Sequence, residues 1–201
     1  MKQAKYKDKD RVIQIIEESF NDNNTFNWII NNNHKKTKSL KSLAEYIFEI
    51  GYAKKGIYLS EDNEAVAICY KKNNQINLFK NICLKFKFLK NVAGFSNIFK
   101  IFKRQKRLKA LKPSSNYLYF WLFAASDKGK GSGGAKGLQK GIYKLSYKEN
   151  LPIYLETTIR KNKNVYEHYG FQTYHKEKLE GQPFNTWFMK RYPTNGNKQN
   201  S

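Results

Sequence analysis

The sequence predicts an α/β domain, in which helices and strands alternate along the chain. Segments with apolar residues three and four positions apart, the spacing of an amphipathic helix, alternate with short aromatic and β-branched runs typical of strands. The chain has 201 residues, of which 40% are hydrophobic, and this is enough for one full core. We therefore expect a single domain over residues 1–192 and a frayed tail at 193–201.

The first quarter of the chain predicts two helices. Apolar residues at helical spacing mark residues 8–20 and residues 39–52, and Gly51 is placed to cap the second helix at its C-terminus. The Asn-rich segment between them, residues 21–38, predicts a loop that carries a short helix around Trp28.

A hairpin and a basic segment follow. The run "GIYLSEDNEAVAICYKK", residues 56–72, has two β-type stretches around "EDNE" and predicts a β-hairpin. Residues 78–111 mix lysines with apolar residues at intervals of three and four, which predicts two basic amphipathic helices broken near Gly94. Such helices can bind a membrane surface or nucleic acid, but we expect their apolar faces to pack on the domain itself. The segment 78–112 thus resembles a basic helical insert.

The second half of the chain alternates regularly between strands and helices. The aromatic run "NYLYFWLFAAS" contains neither Gly nor Pro and predicts a strand. The remaining predicted elements are a helix at 138–150, a strand at 151–158, a short helix at 162–170 that ends at Gly170, and two strands at 171–180 and 184–192 joined by a turn at "GQP".

The charge of the chain points to anionic ligands. The formal net charge is +22, and no acidic residue occurs between Glu64 and Asp127, where thirteen Lys or Arg residues lie. Such a field attracts nucleic acid, acidic lipid or phosphorylated small molecules, although a basic surface that is simply solvated is the plainer explanation.

Several classes of protein are not expected. No stretch approaches the roughly 18 apolar residues of a membrane span, and the N-terminus lacks the apolar core of a signal peptide, so we expect a cytoplasmic protein without integral membrane association. Cys69 and Cys83 lack metal-ligand spacing and indicate ordinary thiols in a reducing compartment. His34, His168 and His175 are scattered, so we expect no metal.

The segment "SDKGKGSGGAKGLQKG", residues 126–141, holds six glycines between a predicted strand and a predicted helix. Glycine is costly inside a helix, so the cluster indicates either a linker or a backbone that approaches a ligand closely. Strand, glycine-rich turn and helix together form a recurring phosphate site, because backbone N–H groups and the helix dipole both favour an anion. Gly137 and Gly141, four positions apart, could let the helix pack closely on the sheet.

Two motifs in this half resemble the GNAT superfamily of N-acetyltransferases. The superfamily's pyrophosphate loop has Gln or Arg, then Gly three positions on, then Gly or Ala two further on; Lys128, Gly131 and Gly133 occupy these positions, with Lys as a departure. Downstream, "LETTIRKNKNVYEHYGF" resembles a stretch with LETS, then Asn, then Tyr four residues later, then a GF pair. The matching residues here are Leu155 to Thr157, Asn162, Tyr166, Gly170 and Phe171. The closing "TWFMKR" resembles the puromycin acetyltransferase-like branch.

The resemblance implies a three-layer α/β fold with a mixed, mostly antiparallel sheet of about seven strands, helices on both faces and a splayed strand pair that holds acetyl-CoA. Backbone groups of residues 129–134 would bind the pyrophosphate, and main-chain groups at the end of the fourth strand would pair with the pantetheine arm, with the N–H of Phe123 as an oxyanion donor. The residues that the resemblance assigns to the cofactor are Leu122, Phe123, Ala124, Lys128, Gly129, Lys130, Gly131, Ser132, Gly133, Gly134 and Asn162.

The resemblance also assigns catalytic residues. Tyr166 matches the superfamily's general acid, and an ordinary Tyr keeps its proton at neutral pH. A packing role is the alternative in a chain with fourteen tyrosines. Glu156 is the candidate for general base or amine-binding group, and a structural Glu is the alternative.

The function that follows is an acetyl-CoA-dependent N-acetyltransferase acting on a small amine acceptor. The alternative is a catalytically silent domain of the same fold that binds nucleic acid or an anionic membrane through its basic surface. A homodimer is compatible with either, as the superfamily often dimerises.

Overall fold

The computed structural model describes residues 1–20, 36–88, 98–178 and 183–194. Seven strands in this part of the chain form one sheet in the order β1-β2-β3-β4-β5-β7-β6. The strands are β1 (Lys2–Gln3), β2 (Ile57–Leu59), β3 (Ala65–Lys71), β4 (Leu118–Ala125), β5 (Ile153–Thr157), β6 (Gln172–Lys178) and β7 (Asn185–Arg191).

Six α-helices lie within the described residues. They are α1 (Lys9–Phe20), α2 (Lys36–Ala53), α3 (Leu78–Phe88), α4 (Ile98–Ala110), α5 (Gly134–Glu149) and α6 (Arg160–His168). The predicted helices and strands are therefore confirmed in order and type. The predicted helix around Trp28, the break near Gly94, the turn at "GQP" and most of the tail lie outside the described residues.

The sheet separates two cores, so the chain forms three layers. On one face, α1 and α2 cover a cluster that includes Ile15, Phe48 and Leu122. On the other face, α5 covers a cluster that includes Ile142 and Leu155. The amphipathic patterns explain the arrangement, because each of these helices buries one apolar stripe against the sheet.

The strand β4 contains a β-bulge that resets its side-chain alternation. Ile68 of β3 pairs with Leu122, whereas the next residue, Cys69, pairs with Phe120, so Trp121 is the extra residue. Before the bulge Phe120 faces the α5 core, and after it Phe123 faces the same core. Their rings meet edge to face, with centroids 5.9 Å apart.

The strands β4 and β5 are parallel, whereas all other neighbouring strands in the sheet are antiparallel. Only Leu118 and Tyr119 of β4 pair with β5, although β4 continues to Ala125. The two strands therefore separate after two pairs of partners. This is the splayed pair in a mixed, mostly antiparallel sheet that the resemblance implied.

Two features of the chain's local structure were predicted wrongly or missed. Gly51 does not cap α2, because the helix continues to Ala53 and the left-handed residue after it is Lys55, with φ of 53°. Gly51 instead lies inside the helix, where an added methyl group would be 3.0 Å from both Ile57 and Ile68. The two-residue strand β1 was missed, since its exposed side chains carry no periodic pattern.

The expectation that Gly137 and Gly141 let α5 pack closely on the sheet was also wrong. A methyl group on Gly137 would meet nothing within 4 Å, so this glycine serves no close contact. A methyl group on Gly141 would meet the flexible side chain of Met1, which precedes the edge strand β1.

Helix α4 is fixed to the sheet on the face covered by α1 and α2. Its Leu108 packs with Phe188 of β7. Its Arg107 forms an ion pair with Glu177 of β6, with 2.8 Å between nitrogen and oxygen. The hydrogen bond from Arg107 lowers the pKa of Glu177 to about 2. The second helix of the basic segment thus packs on the domain's own core, as expected, whereas the first, α3, leaves four of its apolar side chains exposed, so for α3 the expectation was only partly correct.

Candidate functional site

A cleft of about 480 Å³ opens where β4 and β5 separate. Its walls come from the end of α1, from β4, from the first turns of α5 and from one face of α6. The residues that line it are Ser19, Phe20, Phe120, Phe123, Ala125, Lys130, Ala135, Lys136, Gln139, Ile159, Asn162, Val165, Tyr166 and Tyr169. A cleft of this size and mixed lining suits a long ligand that has both apolar and charged parts.

The glycine-rich segment forms the turn between β4 and α5 at one end of the cleft. Gly131 has φ of 88° and Gly133 has φ of 77°, both in the left-handed region that other residues rarely adopt. A methyl group on either glycine would meet no atom within 4 Å, so these two glycines are required by backbone conformation and not by crowding.

Backbone N–H groups without partners gather at the start of α5. The N–H groups of Gly129 and Lys130 donate to the carbonyl of Ser126, at 3.0 and 3.1 Å, and that of Ser132 donates to Gly129. Between residues 131 and 136, four N–H groups have no acceptor among the described residues: those of Gly131, Gly133, Ala135 and Lys136. Unpaired N–H groups at a helix N-terminus form an anion site. Of the predicted stretch 129–134, only Gly131 and Gly133 therefore keep an N–H group that can bind an anion. Ala135 and Lys136, in the first turn of α5, add two more.

The β2–β3 hairpin packs against this turn. The backbone N–H of Ser126 donates to the carbonyl of Glu64 at 2.8 Å, and its hydroxyl donates to the Glu64 carboxylate, which also pairs with Arg11. A methyl group on Gly129 would lie 2.5 Å from the Glu64 carbonyl oxygen, so the turn sits directly on the hairpin. A methyl group on Gly134 would collide with the Asp62 carboxylate in the same way. Sequence reasoning missed this support, because the two segments lie more than sixty positions apart.

Main-chain groups of β4 line the side of the cleft. Ser126 donates its N–H toward β3, and neighbouring residues of a strand point their N–H groups to opposite edges. By this alternation Phe123 and Ala125 direct their main-chain groups toward the cleft. By the same alternation, Leu122 and Ala124, which were also predicted to contact a ligand, direct their main-chain N–H and carbonyl groups toward β3.

Tyr166 and Asn162 lie on one face of α6, one turn apart, and both line the cleft. The Tyr166 ring packs against Phe171 and Phe120, with centroids 5.4 and 6.4 Å away. Burial raises the pKa of Tyr166 to about 12, so the hydroxyl keeps its proton throughout the neutral range. The structure therefore brings these two predicted residues together with the glycine turn at a single cleft.

Glu156 lies on β5. Its neighbour in the strand, Leu155, belongs to the core under α5, so the Glu156 side chain lies on the other face of the sheet. Its carboxylate accepts a hydrogen bond from the Tyr119 hydroxyl at 2.7 Å and pairs with Lys112 at 2.9 Å. Both partners of the ion pair are nearly buried, with 9% of the Glu156 side chain and 14% of the Lys112 side chain exposed. The Lys112 ammonium also lies 3.5 Å from the centre of the Tyr119 ring. Sequence reasoning did not foresee these contacts.

Lys128 is exposed in the turn, while Lys130 and Lys136 line the cleft, and the Lys130 ammonium pairs with Asp127 at 2.7 Å. Among the described residues, no group of three or more His, Cys, Asp or Glu side chains could hold a metal ion. None of the described helices is both long enough and apolar enough to cross a membrane.

Comparison with solved structures identifies the fold. A histone acetyltransferase-related acetyltransferase from Corynebacterium glutamicum is 19% identical, covers 96% of each chain and has a TM-score of 0.69. Arylalkylamine N-acetyltransferase 2 from Aedes aegypti is 16% identical, covers 96% of this chain and 98% of its own, and has a TM-score of 0.63. A GNAT-family acetyltransferase from Desulfovibrio desulfuricans has a TM-score of 0.54 at 12% identity, with coverage of 96% and 98%. The chain therefore has the GNAT acetyltransferase fold.

Sequence comparison reaches a smaller part of the chain. No protein-family model matches it. An uncharacterised N-acetyltransferase from Schizosaccharomyces pombe is 31% identical over 78 residues. The match covers 38% of this chain and spans only about a third, 32%, of the length of that curated relative.

Proposed function

We propose that this chain is an acetyl-CoA-dependent N-acetyltransferase that transfers acetyl to an amine of a small acceptor. The observation that carries the proposal is the cleft between β4 and β5, which ends at the unpaired N–H groups of the glycine turn. The resemblance of the fold to acetyltransferases supports the same reaction class, and no closer branch, puromycin acetyltransferase-like or other, follows from it.

The residues at the cleft fit CoA. Four unpaired N–H groups and the basic side chains of Lys130 and Lys136 would hold the pyrophosphate. The main-chain groups of Phe123 and Ala125 would pair with the extended pantetheine arm as a further strand would. The apolar rings of Phe120 and Phe123 would cover the arm's far end and exclude water.

Different residues of the chain would assist different parts of the reaction. Acetyl-CoA supplies an activated thioester when it is bound. The acceptor nitrogen would form a bond to the acetyl carbon as the bond from carbon to sulfur breaks, and CoA would leave as its thiolate. The N–H of Phe123 would stabilise the charge that develops on the carbonyl oxygen. Tyr166 would donate its hydroxyl hydrogen toward the departing sulfur.

Glu156 is our proposal for the group that receives the proton of the amine. Its bonds to Tyr119 and Lys112 occupy one site on each carboxylate oxygen, and each oxygen has a second lone pair. A water molecule between Glu156 and the amine would complete the path.

Glu156→Gln tests this role, because glutamine can still accept the hydrogen bond of Tyr119 but cannot take a proton at neutral pH. We expect kcat/KM for the amine to fall about 10²-fold or more, with the Kd of acetyl-CoA unchanged. Glu149→Gln is the matched control, since Glu149 makes a similar ion pair, with Lys71 at 2.6 Å, away from the cleft. Equal rates for the two variants would leave Glu156 a structural role only.

The proposed activity itself is tested with an amine panel. We expect the chain to release CoA thiol from acetyl-CoA only when an acceptor is present, and mass spectrometry should find the acetylated amine. The panel should hold an arylalkylamine, puromycin, a polyamine and a peptide amino terminus. The high positive charge of the chain predicts that the polyamine is the poorest acceptor.

An absence of CoA release across the panel would count against the activity only together with an absence of acetyl-CoA binding. Binding of acetyl-CoA without turnover would support the cleft as the CoA site and mean that the panel lacks the right acceptor. No binding of acetyl-CoA would favour the alternative, a catalytically silent domain that binds an acidic partner. The affinity for this partner should then fall steeply with added salt.

A further inference from the structure

The helix α3 has two apolar faces, and only one of them packs on the part of the domain that the structure describes. Its inner face carries Leu84 and Phe88, which are half-buried, and the Phe88 ring lies 4.7 Å from the ring of Tyr46 on α2. The side chains on the outer face are exposed: Leu78 by 74%, Phe79 by 76%, Ile82 by 56% and Phe86 by 69%.

The outer residues form one continuous stripe. Phe79, Ile82 and Phe86 follow one another at intervals of three and four, so they lie on one side of the helix. Four of the nine exposed large hydrophobic residues in the described part of the chain belong to this single helix. A stripe of this kind marks an interaction surface more often than isolated exposed residues do.

A basic residue flanks the stripe. Lys85 is the neighbour of Phe86, is exposed and projects about 100° away from it. Lys87, on the other side of Phe86, is turned toward the domain, where its ammonium pairs with Glu45 of α2 at 3.4 Å. The helix contains no acidic residue, and none occurs anywhere between Glu64 and Asp127.

We propose that this outer face of α3 binds the surface of an anionic lipid bilayer, with the helix lying parallel to the membrane plane. The apolar stripe would enter the boundary between headgroups and acyl chains, and Lys85 would meet lipid phosphates and carboxylates. This goes beyond the proposed acetyl transfer, because it concerns where the protein acts and not the reaction.

The chemistry of the face favours a bilayer over other partners. A second copy of this chain would bring the lysines of two helices together with no acidic residue on either helix to pair with them. Nucleic acid would match the lysines but would leave the four apolar side chains without a buried environment. A bilayer with anionic lipid satisfies both features at once.

The test is sedimentation of the full chain with vesicles. Phosphatidylcholine vesicles are compared with vesicles that also contain phosphatidylserine, and we expect strong binding only to the second kind. A Phe79→Gln, Phe86→Gln double variant should bind at least about tenfold more weakly. Lys85→Gln should lose about fivefold. Because all three positions are exposed, circular dichroism should show an unchanged fold.

A Tyr147→Gln, Tyr192→Gln double variant is the matched control, since it removes two aromatic side chains that are 50% and 52% exposed outside α3. Its vesicle binding should equal that of the native chain. The proposal is overturned if the native chain binds neither vesicle, or if the α3 variant binds as well as the control. Dimerisation through α3 without vesicle binding, or binding to duplex DNA that depends on Phe79 and Phe86, would likewise overturn it.

Discussion

A Tyr166→Phe variant should transfer acetyl about 10²-fold more slowly than the native chain while it binds acetyl-CoA equally well. The pKa of Tyr166, about 12, lies well above that of an ordinary thiol, near 8.5. Full proton transfer to the departing sulfur would thus be uphill by about 5 kcal/mol. We therefore expect Tyr166 to act mainly by a hydrogen bond that strengthens as charge develops, which places its effect at the lower end of the range for acid catalysis.

The pH profile adds a second readout. Because burial raises the pKa of Tyr166, the protonated form persists as the pH rises and is lost only near pH 12. The native rate should therefore show no loss attributable to this acid between pH 6 and about pH 10. Tyr169→Phe is the control, since Tyr169 also lines the cleft but is not one of the residues that match the motif. If Tyr166→Phe turns over at the rate of Tyr169→Phe, Tyr166 has only a packing role.

Acetyl-CoA binding should fall about a hundredfold or more in a Gly131→Val, Gly133→Val double variant. Each glycine has a φ in the left-handed region, where an L-residue costs roughly 1–2 kcal/mol and a β-branched residue costs more. The turn would move to relieve this strain, and the N–H groups of both residues would move with it. Calorimetry at two salt concentrations measures the loss and also reports how far the basic surface attracts the phosphates.

Gly137→Val is the matched control for this change. Gly137 lies in the same glycine-rich segment, has no positive φ and has no atom within 4 Å of an added methyl group. The Gly137→Val variant should therefore bind acetyl-CoA as the native chain does. Undiminished binding by the double variant would show that the turn is not the phosphate site, whereas loss in both variants would indicate that α5 itself had been damaged.

Features that depend on local sequence pattern could be predicted from the sequence alone. The aromatic run of β4, the glycine turn and the helix α5 follow one another along the chain, so spacing and composition predict them. Asn162 and Tyr166 were predicted from their motif, and the helix that carries both brings them to the cleft.

Features that depend on distant partners were not predictable in the same way. The contact between Glu156 and Lys112 joins positions on different elements, and no local pattern marks it. The support of Gly129 by Glu64 has the same cause. Gly51 was misplaced because a glycine near a helix end suggests a cap, whereas here the close approach of Ile57 and Ile68 requires it inside the helix.

The bulge at Trp121 has a consequence for how this protein can change over evolutionary time. One extra residue in β4 places Phe120 and Phe123 on the same side of the sheet. The lining of the cleft therefore depends on the number of residues in the strand as well as on their identity. Replacing an aromatic residue here would alter one contact, whereas deleting one residue would turn every later side chain to the opposite face. Lineages of this protein should vary the residues of this strand more readily than its length.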